Sequence, residues 1–180
     1  PAMSGTISIN RAPVMTLWAA IVAERLGHDR ASALTLGKAV AGLNAQSKGR
    51  RLGIFEPAAP LKMGEKKEPV AKPKRDVVFL MGREVTVQKT KDGMRAVGKE
   101  RAESPASVER YLQQKFGAHL SDVERAMRAL AESYPPESLE KVSYPLYEEF
   151  RPEIPAGTRG WGAKGELDLA KIRRAHYKRA

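Results

Sequence analysis

The 180-residue sequence contains no cysteine, and its three histidines lie far apart in different surroundings. The absence of cysteine excludes a disulfide framework and any zinc or redox site built on thiolates. It is typical of proteins from a reducing compartment, so we expect a cytoplasmic location. Without a histidine cluster or an H-E-x-x-H motif, the sequence predicts no metal site, and nothing in it calls for a cofactor.

Long apolar runs and catalytic motifs are also missing. No stretch reaches the roughly 20 apolar residues that a membrane-spanning helix needs, so we expect no membrane contact. No G-x-S-x-G sequence is present, and no nucleophile stands beside a suitable base. The sequence therefore favours a protein that is not an enzyme.

Negative charge is scarce relative to positive charge. The chain holds 32 lysine and arginine residues against 21 aspartate and glutamate residues, a formal net charge of +11. Such an excess favours anionic partners, above all nucleic acid. The excess is concentrated before residue 76 and after residue 150, whereas residues 101–150 hold more acidic than basic groups.

The longest apolar pattern runs from Asn10 to Phe55 and predicts two helices joined by a short turn. Gly27 is placed to end the first helix and Asp29 to cap the second. Gly37 and Gly42 inside the second helix indicate that another element packs closely against it. We expect Trp18, Ile21 and Leu43 to be largely buried. The pair cannot cover its own apolar surface, so it needs the rest of the chain or a second copy in a homodimer.

The remaining pattern alternates between strands, a connector and helices. Thr6–Ile9 could form a short strand or an ordered lead-in. Residues 77–97 are predicted to form a three-stranded meander, or a hairpin with one added strand, with a turn at Asp92-Gly93. Residues 57–75 are rich in proline and lysine, which predicts a mobile connector.

Three predicted helices follow the meander, and a basic helix from Leu167 to Lys178 ends the pattern. The first begins after Ser104, the second with a capping box formed by Ser121 and Glu124, and the third at Pro136. Pro145 is expected to kink or break the third helix.

Together these elements predict an α+β fold that is mainly helical, with an N-terminal helical pair and a small antiparallel β-hairpin or meander. The predicted organisation has three parts: a helical-pair domain at residues 6–56, a linker at residues 57–75, and a unit at residues 76–180. The last part combines the small sheet, the helices and the basic C-terminal helix.

Two basic clusters are the candidate nucleic-acid contacts. The first follows the second helix, where its charges would otherwise only complement the helix dipole. The second lies in the C-terminal segment, where basic surface helices are common. The predicted contacts are Lys48, Arg50, Arg51, Arg173, Arg174, Lys178 and Arg179.

A third candidate lies at a glycine-rich stretch from Gly160 to Gly165 that matches G-x-G-x-x-G. A dinucleotide site needs a strand before this motif, but the preceding segment is rich in proline. Arg159 and Lys164 could instead contact a single phosphate at the start of the last helix. The alternative, which we prefer, is a structural loop held by a buried Trp161.

From these observations we expect a DNA-associated or regulatory nucleic-acid-binding protein that acts through phosphate contacts, favours duplex DNA and has little sequence preference. Two alternatives stay open. One is an interaction or scaffold module that dimerises or binds a partner through its N-terminal helices. The other is a small enzyme whose site is not visible in the sequence.

If the basic clusters contact phosphates, replacing Arg50 and Arg51 by alanine should reduce the dependence of duplex binding on salt. Each lost phosphate contact lowers the slope of log K against log salt concentration by about one. Titrations of duplex DNA at several salt concentrations measure this slope. An unchanged slope would remove the two arginines from the binding surface.

Overall fold

The computed structural model describes residues 6–51, 75–97, 102–153 and 164–176. Its strands are β1 (Thr6–Asn10), β2 (Arg75–Leu80), β3 (Arg83–Thr90), β4 (Gly93–Ala96) and β5 (Lys164–Asp168). Its helices are α1 (Arg11–Arg25), α2 (Arg30–Arg51), α3 (Pro105–Phe116), α4 (Leu120–Glu132), α5 (Pro136–Phe150) and α6 (Leu169–Arg174). The fold is α+β with an N-terminal helical pair and two antiparallel sheets, and this confirms the predicted class.

The first two helices begin and end much as their sequence predicts. Gly27 follows α1 with a φ of 112°, a backbone conformation that glycine adopts without strain. At the start of α2, the backbone N–H of Ser32 donates to Asp29 Oδ2 at 3.1 Å and its hydroxyl donates to Asp29 Oδ1 at 2.7 Å. These bonds satisfy groups that a helix start leaves unpaired, so the predicted cap at Asp29 is confirmed.

Helix α1 lies in the centre of the core, and every residue from Pro13 to Ala23 is buried. It contacts α2, α3, α4 and α5. Trp18 donates its indole N–H to the backbone oxygen of Ser143 at 2.9 Å, and its ring meets the ring of Phe150 edge to face. Trp18 and Ile21 are buried as predicted, whereas Leu43 is only partly buried.

The core is shared between the N-terminal helices and the elements that follow residue 75. Strand β1 pairs with β5, with Ile7 opposite Leu167, so the two sides of the predicted linker are joined by backbone hydrogen bonds. The predicted linker itself lies outside the described residues, apart from Arg75 in β2. The predicted division into three parts therefore stays a prediction.

The second sheet has the strand order β2-β3-β4, which is the predicted meander. Strand β5 was not predicted, because the sequence places Leu167 in a helix. Its partner β1 lies more than 150 residues earlier in the chain, and local periodicity carries no information about such a pairing. Helix α6 consequently begins at Leu169, after the strand.

The C-terminal helices confirm one predicted cap and contradict another. Ser104 accepts the backbone N–H of Ser107 at 3.3 Å at the start of α3. The capping box at Ser121 and Glu124 is wrong, because α4 begins at Leu120 directly after a 3-10 turn at Gly117–His119. When a helix continues a preceding turn, its first backbone N–H groups donate to carbonyl oxygens of that turn. Such a helix needs no side-chain cap.

Pro145 does not break α5, which continues to Phe150. Among the described helices, none is both long enough and apolar enough to cross a bilayer.

The two glycines of α2 differ sharply in their surroundings. A Cβ atom at Gly37 would lie 2.3 Å from the backbone oxygen of Thr16 and 2.9 Å from the backbone nitrogen of Ala20, whereas one at Gly42 would meet nothing within 4 Å. The close approach predicted from sequence is therefore confirmed at Gly37 and absent at Gly42.

We expect Gly37→Ala to lower the free energy of unfolding by about 1–3 kcal/mol, because α1 and α2 would have to separate. Gly42→Ala should instead raise it by about 0.5–1 kcal/mol through helix propensity alone. Urea denaturation of both variants measures the difference. Equal effects of the two substitutions would contradict the close packing of α1 against α2.

Candidate functional site

A cavity with a volume of about 660 Å³ lies between the β2–β3 turn and α5. It is lined by Phe79, Leu80, Met81, Gly82, Arg83, Glu140, Lys141 and Tyr144. The volume lies within the range of typical ligand pockets. The lining combines two aromatic rings, two cations and one carboxylate.

One wall of the cavity is a tight two-residue turn. Met81 and Gly82 have φ values of 52° and 75°, the left-handed conformation that matches the twist of a hairpin. Methionine rarely adopts this conformation, but its side chain is buried in the core, which holds the turn in place. Leu80 and Arg83 pair on either side of the turn, and Phe79 is the next residue of β2 before Leu80.

Phe79 is the most exposed large apolar residue of the described chain, with 63% of its surface accessible. Alternation along β2 places Val78 and Leu80 toward the core and Val77 and Phe79 on the opposite face. The ring therefore stands at the cavity, open to solvent and to any flat partner.

The two cations at the cavity are free of carboxylate partners. Within the described residues, neither Arg83 nor Lys141 forms an ion pair. Among the described residues, the Arg83 side chain donates to Asn44 Oδ1 alone, at 3.4 Å, and the hydroxyl of Tyr144 donates to the same oxygen at 3.5 Å. Most guanidinium N–H groups of Arg83 thus remain available to a ligand.

Helix α5 contributes an acceptor to the same region. Proline has no N–H, so Pro145 cannot donate to the backbone oxygen of Lys141, the residue four positions earlier. Lys141 and Tyr144 both line the cavity. The proline therefore leaves a carbonyl without its helical donor in the turn that forms the cavity wall.

A second cleft of about 280 Å³ lies between α4 and α6. It is lined by Asp122, Arg125, Ala126, Ala129, Arg173 and His176. Arg173 is one of the residues predicted from sequence to contact nucleic acid, and the fold places it beside Arg125, which was not.

The densest cluster of charges lies elsewhere and is internally paired. Arg30 contacts the carboxylates of Glu109 and Glu124 at 3.1 and 3.0 Å, and Arg128 contacts Glu124 at 2.9 Å and also Glu24. The network ties α1, α2, α3 and α4 together. Since its charges satisfy one another, we interpret it as structural.

Several predicted site residues lie where the structure gives no side-chain detail. Lys48, Arg50 and Arg51 belong to the last turn of α2, but their side chains are outside the described set. The residues Arg159, Trp161, Lys178 and Arg179 are also outside it. Their predicted roles therefore stay predictions.

The other predicted residues are placed apart from the large cavity. Lys164 is exposed in β5, and Arg174 is exposed in α6. The start of α6 is occupied by Asp168, whose Oδ1 accepts the backbone N–H of Ala170 at 2.9 Å. A carboxylate at this position would repel a phosphate, so the structure gives no support to the phosphate contact predicted there.

Sequence reasoning missed Phe79, Arg83, Lys141 and Tyr144. Phe79 belongs to a continuous apolar run that predicts a buried strand, and the two cations lie outside the basic clusters. A signal was available in β3, where apolar and polar residues alternate. A hairpin partner of such a strand also has one face toward the core, so every second residue of the apolar run in β2 should be exposed.

No protein-family model, curated protein or solved structure is detectably similar to the chain.

The ion-pair network predicts a loss of stability in acid. Burial alone would raise the pKa of the Glu124 carboxyl, but the hydrogen bonds from Arg128 and Arg30 outweigh it and lower that pKa. A carboxyl whose folded pKa is lowered stabilises the protein above its unfolded pKa, and this contribution disappears as the pH falls through the folded value.

We expect Glu124→Gln to cost up to about 1 kcal/mol at neutral pH, because the network is partly exposed. Its free energy of unfolding should then fall less than that of the parent between neutral pH and about pH 3. Urea denaturation at both pH values measures this. Glu137→Gln, at an exposed and unpaired position, is the control, and a parent-like acid dependence in Glu124→Gln would contradict the assignment.

Proposed function

We propose that this protein is a non-enzymatic nucleic-acid-binding protein that acts through phosphate contacts with little sequence preference. We place part of its interface at the cavity between the β2–β3 turn and α5. One observation carries the proposal: the same cavity is lined by Phe79, which is exposed, and by two cations, Arg83 and Lys141, that lack carboxylate partners among the described residues.

This combination is what a nucleic-acid strand requires. Each base presents a flat π-face that stacks on an aromatic side chain, and stacking contributes about 1–3 kcal/mol per base. The phosphates that link the bases are attracted to arginine and lysine, with a strength that falls steeply with salt. Phe79 and Tyr144 supply rings, and Arg83 and Lys141 supply cations, within one cavity.

The exposed ring refines the kind of nucleic acid that we propose. The net charge by itself favours duplex DNA, because a duplex carries the denser phosphate charge. In a duplex, however, the faces of the bases stack on one another and cannot reach Phe79. We therefore propose that the cavity binds a single-stranded segment and that duplex binding rests on phosphate contacts alone.

Little sequence preference follows from the same lining. Stacking tolerates every base, since discrimination between bases needs directed hydrogen bonds to their edges. Asn44 could make such bonds near the cavity, but its Oδ1 already accepts from Arg83 and Tyr144. We expect Arg83 to contact phosphates and not base edges. We expect preferences to come from stacking strength only.

The interaction-module alternative gains less from the structure. Its proposed surface, the apolar face of the N-terminal helices, is covered by the chain itself, because Pro13–Ala23 are all buried. No specific observation favours an enzyme, so we propose neither alternative as a second function.

We expect Phe79→Ala to weaken binding of a labelled single-stranded oligonucleotide by about 1–3 kcal/mol, the contribution of one stacked base. Duplex binding should change little. Fluorescence anisotropy at several salt concentrations measures both. Val77→Ala is the matched control, because Val77 is exposed on the same face of β2 but does not line the cavity.

Arg83→Ala and Lys141→Ala should each flatten the salt dependence of single-strand binding, with a slope that falls by about 0.7 per lost phosphate contact. DNA and RNA strands of the same sequence should be compared. No binding by the parent protein even at low salt would overturn the proposed function. Equal losses in Phe79→Ala and Val77→Ala would remove the cavity from the interface.

A further inference from the structure

The cleft between α4 and α6 concentrates positive charge at a site separate from the large cavity. Arg125 on α4 and Arg173 on α6 both line it, and both are exposed. Within the described residues, neither arginine pairs with a carboxylate. Two unpaired guanidinium groups that converge on one cleft form a site suited to an oxyanion.

His176 adds a third polar group to the cleft. Its Nε2 atom is buried, and it has no hydrogen-bond partner among the described residues. A buried polar atom left unpaired costs free energy, and a ligand oxygen in the cleft would remove that cost. Since His176 lines the cleft, a ligand held by the two arginines would meet its imidazole, and a rotation of the ring would bring Nε2 to the ligand.

The cleft suits a small anion. Its volume of about 280 Å³ lies just below the range of pockets that hold drug-sized ligands, and a single tetrahedral oxyanion fits inside it. The lining also lacks an aromatic ring for stacking, apart from the imidazole.

Asp122 also lines the cleft, and its carboxylate would discriminate among oxyanions. A carboxylate repels an anion unless the anion can donate a hydrogen bond to it. Inorganic phosphate retains at least one P–O–H group at neutral pH, whereas sulfate has none. The cleft therefore offers donors for three oxygens and one acceptor for the remaining hydroxyl.

We propose that this cleft is a phosphate-binding site in which Arg125, Arg173 and His176 bind the anion and Asp122 accepts its hydroxyl. The inference goes beyond the proposed function and does not depend on it. The phosphate comes either from solution or from the end of a nucleic-acid strand. Both sources offer oxygens to Arg125, Arg173 and His176. At neutral pH, however, free phosphate retains the P–O–H group for Asp122, whereas a terminal phosphate mostly does not.

The test titrates inorganic phosphate into the full chain at constant ionic strength maintained with chloride. Calorimetry measures affinity, and proton NMR of the three histidines reports which imidazole responds. We expect saturable binding that shifts the His176 resonances, and His176→Gln identifies those resonances. Arg125→Ala and Arg173→Ala should each weaken binding by about tenfold or more.

Arg174→Ala is the matched control, since Arg174 is the exposed neighbour of Arg173 on α6 and does not line the cleft. It should retain parent affinity. Sulfate should bind more weakly than phosphate to the parent, and Asp122→Asn should reduce that difference. Because both arginines are exposed, circular dichroism is expected to show that the variants remain folded.

A 5′-phosphorylated oligonucleotide compared with its unphosphorylated counterpart distinguishes the two sources. A gain from the terminal phosphate that is lost in Arg173→Ala assigns the site to strand ends, and its absence assigns it to free phosphate. Failure to bind phosphate beyond the chloride effect, or an equal loss in Arg174→Ala, would overturn the inference. Loss of single-strand binding in Phe79→Ala bears only on the proposed function.

Discussion

The enclosure of helix α1 is the constraint on which the other elements depend. Its buried residues from Pro13 to Ala23 form an unbroken run, so the helix has no side that could face water without a large hydrophobic cost. Helices α2, α3, α4 and α5 all contact it, and α2 approaches it closely at Gly37. A helix buried on all sides carries no amphipathic signal by itself, and its partners must come from distant parts of the chain.

The same core positions the candidate site. The hydrogen bond from Trp18 to the oxygen of Ser143 fixes α5 in the middle of its length, one residue before Tyr144. On the other wall, the buried side chains of Leu80 and Met81 hold the β2–β3 turn. Both walls of the cavity are thus anchored in one core, so a ligand would find the site already formed. A preformed site loses less free energy to the ordering of side chains on binding.

The sequence could predict the local elements but not the contacts between distant ones. Asp29, Ser104 and Gly27 act as caps or stops through groups within a few residues, and their roles are legible in the sequence. Strand β5 and the exposure of Phe79 depend on partners elsewhere in the fold. Pro145 shows the same limit, because packing of the residues around it maintains α5 where propensity alone predicts a break.

The candidate site was hidden for a related reason. Basic clusters in a sequence identify where charge is dense, whereas a binding site needs charge that is unpaired and close to the right surface. Arg30 and Arg128 form ion pairs with carboxylates of the network, whereas Arg83 and Lys141 form none within the described residues. Only the fold distinguishes these two situations.

The exposure of Phe79 has a cost that bears on its role. Burial of its side chain would stabilise the protein by about 1.5–3 kcal/mol, and β2 is an edge strand, where an exposed apolar side chain favours association with other chains. Glu84 stands directly opposite Phe79, and a charge at that position opposes the stacking of a second sheet on this face. A ring kept accessible but guarded against self-association is suited to the flat base that we propose for it. Glu84 would repel the phosphates of the strand, which would contact Arg83 and Lys141 instead.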